Sequence, residues 1–230
     1  MSLQQLTLNL SWRDDATFEN FYFGDNQGLI NILRTLADSP VNFIYIWSGV
    51  GAGRTHLLLA SGNQFGAREL HSAYIPLQDF KQLSPEIFLD LYDLPLLCID
   101  DLDAIVGLPE WEEAIFCCFN ERMNRKVKTL IVANATPQAL NFILPDLKSR
   151  MSSGLLFELK ALNDAHKLPA LQLRAKFLGL DLPASTAKFL LTHYSRDTAA
   201  LFVLLRKLDH ASLAEQRCLT IPFVKQQLKN

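Results

Sequence analysis

The eight residues from Ser48 to Thr55 have the types and spacing of a phosphate-binding loop, with the sequence Ser-Gly-Val-Gly-Ala-Gly-Arg-Thr. In the usual form, Gly-x-x-x-x-Gly-Lys-[Ser/Thr], the glycines let backbone N–H groups surround phosphates, the lysine reaches the β- and γ-oxygens, and the hydroxyl binds Mg²⁺. Here Ser48 replaces the first glycine and Arg54 replaces the lysine. We therefore predict a nucleotide site with altered hydrolytic chemistry, in which nucleotide binding is a structural or regulatory state.

The segments on either side of this loop have the order that a phosphate site requires. Residues 41–47 form an apolar run of strand length, and residues 55–60 begin a helical segment. The first turn of a helix supplies unpaired N–H groups and the positive end of the helix dipole. A glycine-rich turn without a ligand is the alternative interpretation. The predicted nucleotide-binding residues in this region are Gly49, Gly51, Ala52, Gly53, Arg54, Thr55 and His56.

A second polar cluster follows the apolar segment 94–100, which ends in Asp100 and is succeeded by Asp101. Asp100 lies 45 residues after Thr55, which leaves room for a helix, a strand and a further crossover. We predict that Asp100, together with Thr55, orients Mg²⁺ or its water shell, and that Asp101 orients or deprotonates the attacking water. Asn134 ends the following strand and is a candidate for holding a water or the γ-phosphate. Ordinary turn residues are the alternative for all three.

Strands and helices alternate over the first two thirds of the chain. Apolar segments of strand length occupy residues 41–47, 73–77, 94–100, 129–134 and 155–159. Helical spacing between them, as at residues 110–125, predicts an α/β fold with five parallel strands covered by helices on both faces. Pro76 predicts an edge position for its strand, because proline cannot donate a hydrogen bond to a neighbouring strand.

From about residue 161 the pattern is purely helical, with segments at 163–178, 183–194, 197–213 and 221–228. Asn163 and Asp181 stand at expected helix-cap positions, and Pro183 fits a first helical position. The predicted organisation is an N-terminal peptide and linker at 1–16, an α/β nucleotide-binding domain at 17–160 and a small all-α lid domain at 161–230.

The composition describes a globular chain without a generally basic surface. The chain has 230 residues, of which 49% are hydrophobic and 20% are charged, and its formal net charge is −2. These values argue against disorder and against a generally basic nucleic-acid surface, with a local basic patch left open. We expect no direct sequence-specific binding of DNA. No apolar run reaches membrane-spanning length and the N-terminus does not resemble a signal peptide, so we expect no membrane association. Reduced thiols in a cytoplasmic protein are the expected state of the cysteines, which lack C-x-x-C spacing: Cys98, Cys117, Cys118 and Cys218.

Together these motifs resemble the AAA+ nucleotide-binding core of the replication initiator DnaA. Residues 17–26 are similar to the stretch that helps to enclose the adenine in that family. Residues 51–58 are similar to its phosphate-binding loop, and residues 98–101 to its acidic strand end. The resemblance extends over residues 17–230 and implies an AAA+ five-stranded sheet domain followed by a helical lid domain.

Residues 144–150 resemble the segment of that family that ends in the arginine finger. This implies that Arg150 acts in trans, on a neighbouring molecule's nucleotide, where it stabilises charge on the transferred phosphoryl group. A surface or interdomain ion pair is the alternative for this arginine. In the lid, Ala199 occupies the position where the family commonly has a phosphate-sensing arginine, and Arg196 would take that role only in a different register. Ala199 and Arg54 together imply little hydrolysis in cis, with ADP or ATP and Mg²⁺ held as a ligand for folding and assembly.

Further segments resemble the DnaA-related regulators known as Hda. The chain ends where DnaA would continue into its DNA-binding domain, and Arg54, residues 111–116 and residues 219–225 fit the Hda group. Residues 5–10 are similar to the hexapeptide by which proteins dock on the bacterial sliding clamp. In an extended segment the leucines lie to one side and can fill an apolar groove. The implied clamp-binding residues are Gln5, Leu6, Leu8 and Leu10. A short edge strand that covers the chain's own core is the alternative for this segment.

The resemblance implies a negative regulator of the initiation of DNA replication. Tethered to the sliding clamp of DNA polymerase III on DNA, the protein would insert Arg150 toward ATP bound to DnaA and speed its conversion to inactive ADP-DnaA. It would then activate a partner's ATPase rather than act as an efficient enzyme itself, and a homo-oligomer is compatible with this role. Two other functions stay open at this point: a weak stand-alone ATPase, and a DnaA-like adaptor or loader without a catalytic contribution.

Overall fold

A computed structural model of the protein describes residues 16–194, 197–215 and 219–227. The predicted clamp-binding residues lie outside these ranges, as do Arg196 and Cys218. The implied contacts of residues 5–10 therefore stay predictions.

One parallel sheet forms the centre of the larger domain. Its strands are β1 (Phe43–Trp47), β2 (Ser72–Pro76), β3 (Leu96–Asp100), β4 (Lys128–Ala133) and β5 (Leu155–Glu158). Their order across the described sheet is β2-β3-β4-β1-β5, and every pairing is parallel. Strand β2 lies at one edge, where Pro76 stands opposite Asp100 of β3. The edge position predicted from Pro76 is confirmed.

Helices connect the strands and form the second domain. In the first domain they are α1 (Gln27–Arg34), α2 (Arg54–Gly66), α3 (Leu77–Phe80), α4 (Pro109–Arg125) and α5 (Pro145–Met151). Short 3₁₀ helices occupy Leu36–Asp38, Pro85–Leu91 and Leu102–Ile105. In the lid they are α6 (Asp164–Phe177), α7 (Ala184–His193), α8 (Thr198–Glu215) and α9 (Ile221–Gln227). None of the described helices combines the length and apolar character needed to span a membrane.

The central strands β1, β3 and β4 are buried on both faces, because alternate side chains of a strand enter different cores. In β1, Phe43 and Tyr45 pack with one cluster, which includes Trp111 and Ile115 of α4. The intervening Ile44 and Ile46 pack with a second cluster formed largely by α1 and α2. A third apolar cluster holds the lid helices together. The predicted fold class, an AAA+ α/β sheet domain followed by a helical lid domain, is confirmed.

The two cap predictions in the lid have different outcomes. Asn163 is the N-cap of α6, and its side-chain oxygen accepts a hydrogen bond from the N–H of His166 at 3.1 Å. The prediction for Asp181 is wrong, because the N-cap of α7 is Pro183 and the helix begins at Ala184. Pro183, predicted at the first helical position, therefore stands one residue before it. The Pro183 carbonyl accepts the N–H of Ala187 at 2.9 Å. An N-cap residue has a non-helical backbone and a carbonyl that accepts the first hydrogen bond of the helix, and Pro183 meets both conditions without a side-chain hydrogen bond.

Candidate nucleotide site

A cavity of about 550 Å³ lies where the phosphate-binding loop, the segment 16–26 before α1 and the lid meet. The sheet domain contributes the loop, the start of α2 and the segment before α1, and the lid contributes residues of α6 and α8. Seven of the predicted site residues line this cavity together: Gly49, Gly51, Ala52, Gly53, Arg54, Thr55 and His56. Among the described residues, the lining does not include Asp100, Asp101 or Asn134. The volume suits a small-molecule ligand.

The loop leads directly into the N-terminus of α2. Gly51 and Gly53 have φ angles of 81° and 104°, in the left-handed region that favours glycine. Gly53 is the N-cap of α2, and as a glycine it has no side chain to accept a hydrogen bond from the first turn. The first-turn N–H groups of α2 therefore face the cavity with the positive end of the helix dipole, as an anion site requires.

The side chain of Arg54 points back toward the start of the loop and toward the end of β3. Its Nη1 donates hydrogen bonds to the Ser48 carbonyl and, at 3.4 Å, to the Ser48 hydroxyl. Its Nη2 lies 3.6 Å from Oδ1 of Asp101. The side chain is 12% exposed. Arg54 therefore lines the cavity and also connects the start of α2 with Ser48 and with Asp101.

Thr55 and Asp100 meet as their spacing predicted. The Thr55 hydroxyl donates to Oδ2 of Asp100 at 2.6 Å, and the same oxygen accepts the Tyr74 hydroxyl at 2.9 Å. Oδ1 of Asp100 accepts the N–H of Asp101 at 3.0 Å. Burial, and then the charge of Asp100, raise the pKa of Tyr74 above its usual value. Hydroxyl and carboxylate oxygens are the donors that Mg²⁺ prefers, so Thr55 and Asp100 fit a nucleotide-bound magnesium ion.

Asp101 lies in a strained position beside this pair. Its φ of 53° places it in the left-handed region, where aspartate is tolerated better than most residues. Burial raises the pKa of its carboxyl, the charge of Asp100 adds to that effect, and Arg54 opposes it. The Asp101 carboxylate, which was predicted to orient or deprotonate the attacking water, is instead paired with Arg54.

Asn134 lies at the carboxyl end of β4, one residue after Ala133. The Ala133 carbonyl accepts the N–H of Ser48 at 3.3 Å, so Asn134 stands close to the start of the phosphate-binding loop. Its own N–H donates to Oδ1 of Asp103 at 2.8 Å, and its side chain is exposed. A role at the γ-phosphate stays a prediction.

Several cavity residues were missed as site residues, although the segment 17–26 had been associated with the base. Asn26 donates from Nδ2 to the carbonyls of Phe23 and Lys160 at 3.0 and 2.9 Å, and its Oδ1 accepts the Lys160 N–H at 2.8 Å. It therefore joins the N-terminal segment to the start of the lid. Buried Arg174 and half-buried Arg206 also line the cavity from α6 and α8. The sequence signal for Arg174 was an arginine at helical spacing from the apolar residues Ala170 and Leu171.

Arg150 lies on α5 and does not line this cavity. Its side chain is exposed, and within the described ranges it has no ion pair or side-chain hydrogen bond. Arg150 therefore lies outside the chain's own candidate nucleotide site, and its action on a second molecule stays a prediction. The ion pair considered as its alternative role is not formed with any described residue.

Comparisons with known proteins agree with this architecture. Residues 12–158 match the family model of the bacterial DnaA ATPase domain, and residues 164–228 match that of the Hda lid domain. Domain III of the Thermotoga maritima replication initiation protein DnaA is similar, with a TM-score of 0.81 and 24% identity over 94% of this chain and 96% of that one. AMPPCP-bound DnaA from Aquifex aeolicus has a TM-score of 0.73 and 25% identity, over 84% of this chain and 64% of that one. The Thermotoga maritima Holliday junction branch migration motor RuvB has a TM-score of 0.65 at 13% identity, over 88% of this chain and 67% of that one.

Proposed function

We propose, because this chain belongs to the bacterial DnaA ATPase-domain family and has an Hda-type lid domain, that it is a negative regulator of replication initiation. In this proposal it stimulates hydrolysis of the ATP bound to DnaA and leaves inactive ADP-DnaA. Arg150 supplies an arginine finger in trans, and residues 5–10 tether the protein to the sliding clamp on DNA. The observation that carries the proposal is that Arg150 is exposed, lies on a helix outside the chain's own cavity and forms no ion pair with the residues that the structure describes.

The proposed ligand of the cavity is ADP or ATP. The uncapped N-terminus of α2 and the positive-φ glycines support phosphate binding, and Phe21 and Tyr22 supply apolar surface near the loop. AMPPCP bound to DnaA of Aquifex aeolicus shows that a related site takes an adenine nucleotide. Thr55 and Asp100 would hold a nucleotide-bound Mg²⁺, which neutralises phosphate charge when it is present.

Weak hydrolysis in cis is part of the proposal. Arg54 is engaged with Ser48 and Asp101, and a planar guanidinium does not place its charge where a lysine ammonium would. Asp101, paired with Arg54, is poorly available to orient water. The nucleotide would then persist as a ligand that holds the lid against the sheet domain, and the protein would activate its partner's ATPase without being an efficient enzyme.

Arg150 has the properties that a finger in trans requires. A guanidinium brought to a partner's γ-phosphate stabilises the charge that develops in phosphoryl transfer, an effect of about 10³–10⁵ in rate in other systems. Its exposure lets it reach a second molecule, and no ion pair with a described residue has to break for it to do so. The short helix α5 is anchored by buried Leu147 and Met151, so the arginine projects from a packed element.

The test measures ATP hydrolysis by purified DnaA with this protein present, with and without DNA-loaded clamp. We expect stimulation that requires the clamp and is lost in Arg150→Ala, while ADP binding and clamp binding are retained. Arg125→Ala is the matched control, because Arg125 is an exposed arginine that pairs with Asp93 and Glu121. Normal stimulation by Arg150→Ala would contradict the finger.

The same experiment separates the other two functions. Absent stimulation, with ADP and clamp binding intact, would favour an adaptor or loader. Steady turnover by the isolated chain, abolished by Asp101→Asn, would favour a stand-alone ATPase. A Gln5→Ala, Leu8→Ala double variant should lose clamp binding without loss of folding, since the docking peptide precedes the domain core.

A further inference from the structure

The carboxylate of Glu112 on α4 is fully buried, with 0% of the residue exposed. Glutamate is seldom buried without a cation or several hydrogen-bond donors, because its charge loses hydration. No cation pairs with Glu112 among the residues that the structure describes. Hydrogen-bond donors other than cationic side chains must therefore compensate for the lost hydration of the Glu112 carboxylate.

Three backbone N–H groups are these donors. Oε1 accepts the N–H of Gly107 at 2.8 Å and that of Ile143 at 3.1 Å. Oε2 accepts the N–H of Leu144 at 2.8 Å. Hydrogen bonds to an ionised acceptor are stronger than neutral ones, so one carboxylate ties together two segments that are distant in sequence.

The second of these segments is the start of the helix that carries Arg150. Leu144 is the N-cap of α5, and its apolar side chain cannot accept a hydrogen bond from the first turn of the helix. Pro145 follows at the first helical position and has no N–H to contribute. A helix of seven residues has little stability of its own, so its direction depends on how its ends are held.

We infer that Glu112 is the positioning residue for Arg150, through its hydrogen bonds to Ile143 and Leu144. Arg150 lies six residues after Leu144, or roughly 9 Å along the helix. If the N-terminal end of α5 is released, a small rotation of the helix about that end displaces Arg150, because the arginine lies at the far end of the helix. Placement errors of about 1 Å at a reacting centre cost large factors in rate. The effect of Glu112 on the ATPase rate rests on the proposed function. Its effect on the position of α5 rests on the hydrogen bonds alone.

The test uses Glu112→Gln, which keeps the shape of the side chain but replaces one acceptor oxygen with an NH₂ donor. Glu113→Gln is the matched control, because Glu113 is the exposed neighbour on the same helix. We expect backbone amide exchange at Ile143 and Leu144 to rise at least tenfold in Glu112→Gln and to stay unchanged in the control. If Glu112→Gln does not fold, Glu112→Asp keeps the charge, shortens the reach and should raise exchange at the same amides.

The functional readout is the stimulated ATPase of DnaA in the presence of DNA-loaded clamp. We expect the maximal stimulated rate to fall at least tenfold in Glu112→Gln, while the half-saturating protein concentration and the ADP affinity stay unchanged. In an Arg150→Ala background, Glu112→Gln should cause no further loss, because both changes act through one group. General destabilisation would instead weaken ADP binding and add to the effect of Arg150→Ala.

The two hypotheses fail in different ways. Full stimulation by Arg150→Ala would overturn the proposed function and, with it, the catalytic role of Glu112. Stimulation that is lost in Arg150→Ala but retained in Glu112→Gln would overturn only the positioning role. Unchanged exchange at Ile143 and Leu144 in Glu112→Gln would overturn the positioning role whatever the ATPase result.

Discussion

The guanidinium of Arg54 lies 3.6 Å from Oδ1 of Asp101. The cation of the phosphate-binding loop is thereby paired with the acid that follows β3, and its other hydrogen bonds hold Ser48 at the beginning of the loop. Both groups that a hydrolytic site would direct at the γ-phosphate and its water contact each other instead. The cavity therefore keeps the backbone parts of a phosphate site, while its loop arginine is engaged with an acid that does not line the cavity.

Asp101→Asn should strengthen ADP binding about fivefold. The substitution removes a negative charge beside the loop and frees Arg54 from a partly buried ion pair worth about 1 kcal/mol, and 1.4 kcal/mol corresponds to a tenfold change in affinity. Titration calorimetry measures the change, with Asp103→Asn as the control for a nearby acid that is not paired with Arg54. Weaker ADP binding by Asp101→Asn would show that Asp101 supports the ligand directly.

Tyr74→Phe should make ADP binding more dependent on Mg²⁺. The Tyr74 hydroxyl donates to Oδ2 of Asp100, and its removal frees an acceptor site at the carboxylate that fits the metal. One hydrogen bond of about 1 kcal/mol predicts a change of roughly fivefold in the ratio of ADP affinities with Mg²⁺ and with EDTA. Tyr45→Phe is the control, since the Tyr45 hydroxyl donates to the Ala135 carbonyl at 2.8 Å elsewhere in the sheet domain. Equal ratios in the two variants would contradict the prediction.

Local sequence features predicted the fold and the meeting of Thr55 with Asp100. Strands that are buried on both faces are continuous apolar runs, and a glycine loop between strand and helix has a narrow set of geometries. Parallel strands place their carboxyl ends at one edge of the sheet, which brings Asp100 to the end of the loop. These relationships depend on segments that can be recognised one at a time.

Contacts between distant segments were not predictable in this way. Tyr74 on the edge strand reaches Asp100, and Glu112 on α4 reaches Leu144. Tyr74 belongs to no motif, and the segment 111–116 indicated a family resemblance but not the contact that Glu112 makes. Asn26 and Lys160 are 134 residues apart and form a paired hydrogen-bond contact at the base of the lid. Such partners depend on how the elements pack together, which a hydrophobic pattern does not specify. The docking of residues 5–10 on a clamp stays a prediction.

Gly53→Ala should weaken ADP binding at least tenfold. A Cβ atom at Gly53 would lie 2.6 Å from the ring of Phe21, and φ at this position is 104°. An alanine must therefore displace the ring and adopt a strained backbone at the N-terminus of α2. Gly49→Ala is the control, because an added Cβ there meets open space among the described residues. Calorimetry should show the larger loss for Gly53→Ala, and equal losses would contradict the role of the Phe21 contact.

Arg122→Met should destabilise the sheet domain by about 3 kcal/mol. The buried guanidinium donates to the carbonyls of Leu94 at 3.0 Å and Lys128 at 2.6 Å, and to the Thr129 hydroxyl at 3.0 Å. Burial lowers the pKa of Arg122 to about 10, which leaves it charged at neutral pH. Without it, buried carbonyls lose their donors, and each such loss costs about 1–3 kcal/mol.

Urea unfolding at neutral pH measures this change in the free energy of unfolding. Arg125→Met is the matched control, because Arg125 is exposed near the end of the same helix α4, and exposed ion pairs contribute little to stability. We expect the unfolding midpoint of Arg122→Met to fall clearly below that of the control. Equal midpoints would show that water or a rearranged loop satisfies the carbonyls around Arg122, and the junction between α4, β3 and β4 would then not depend on this side chain.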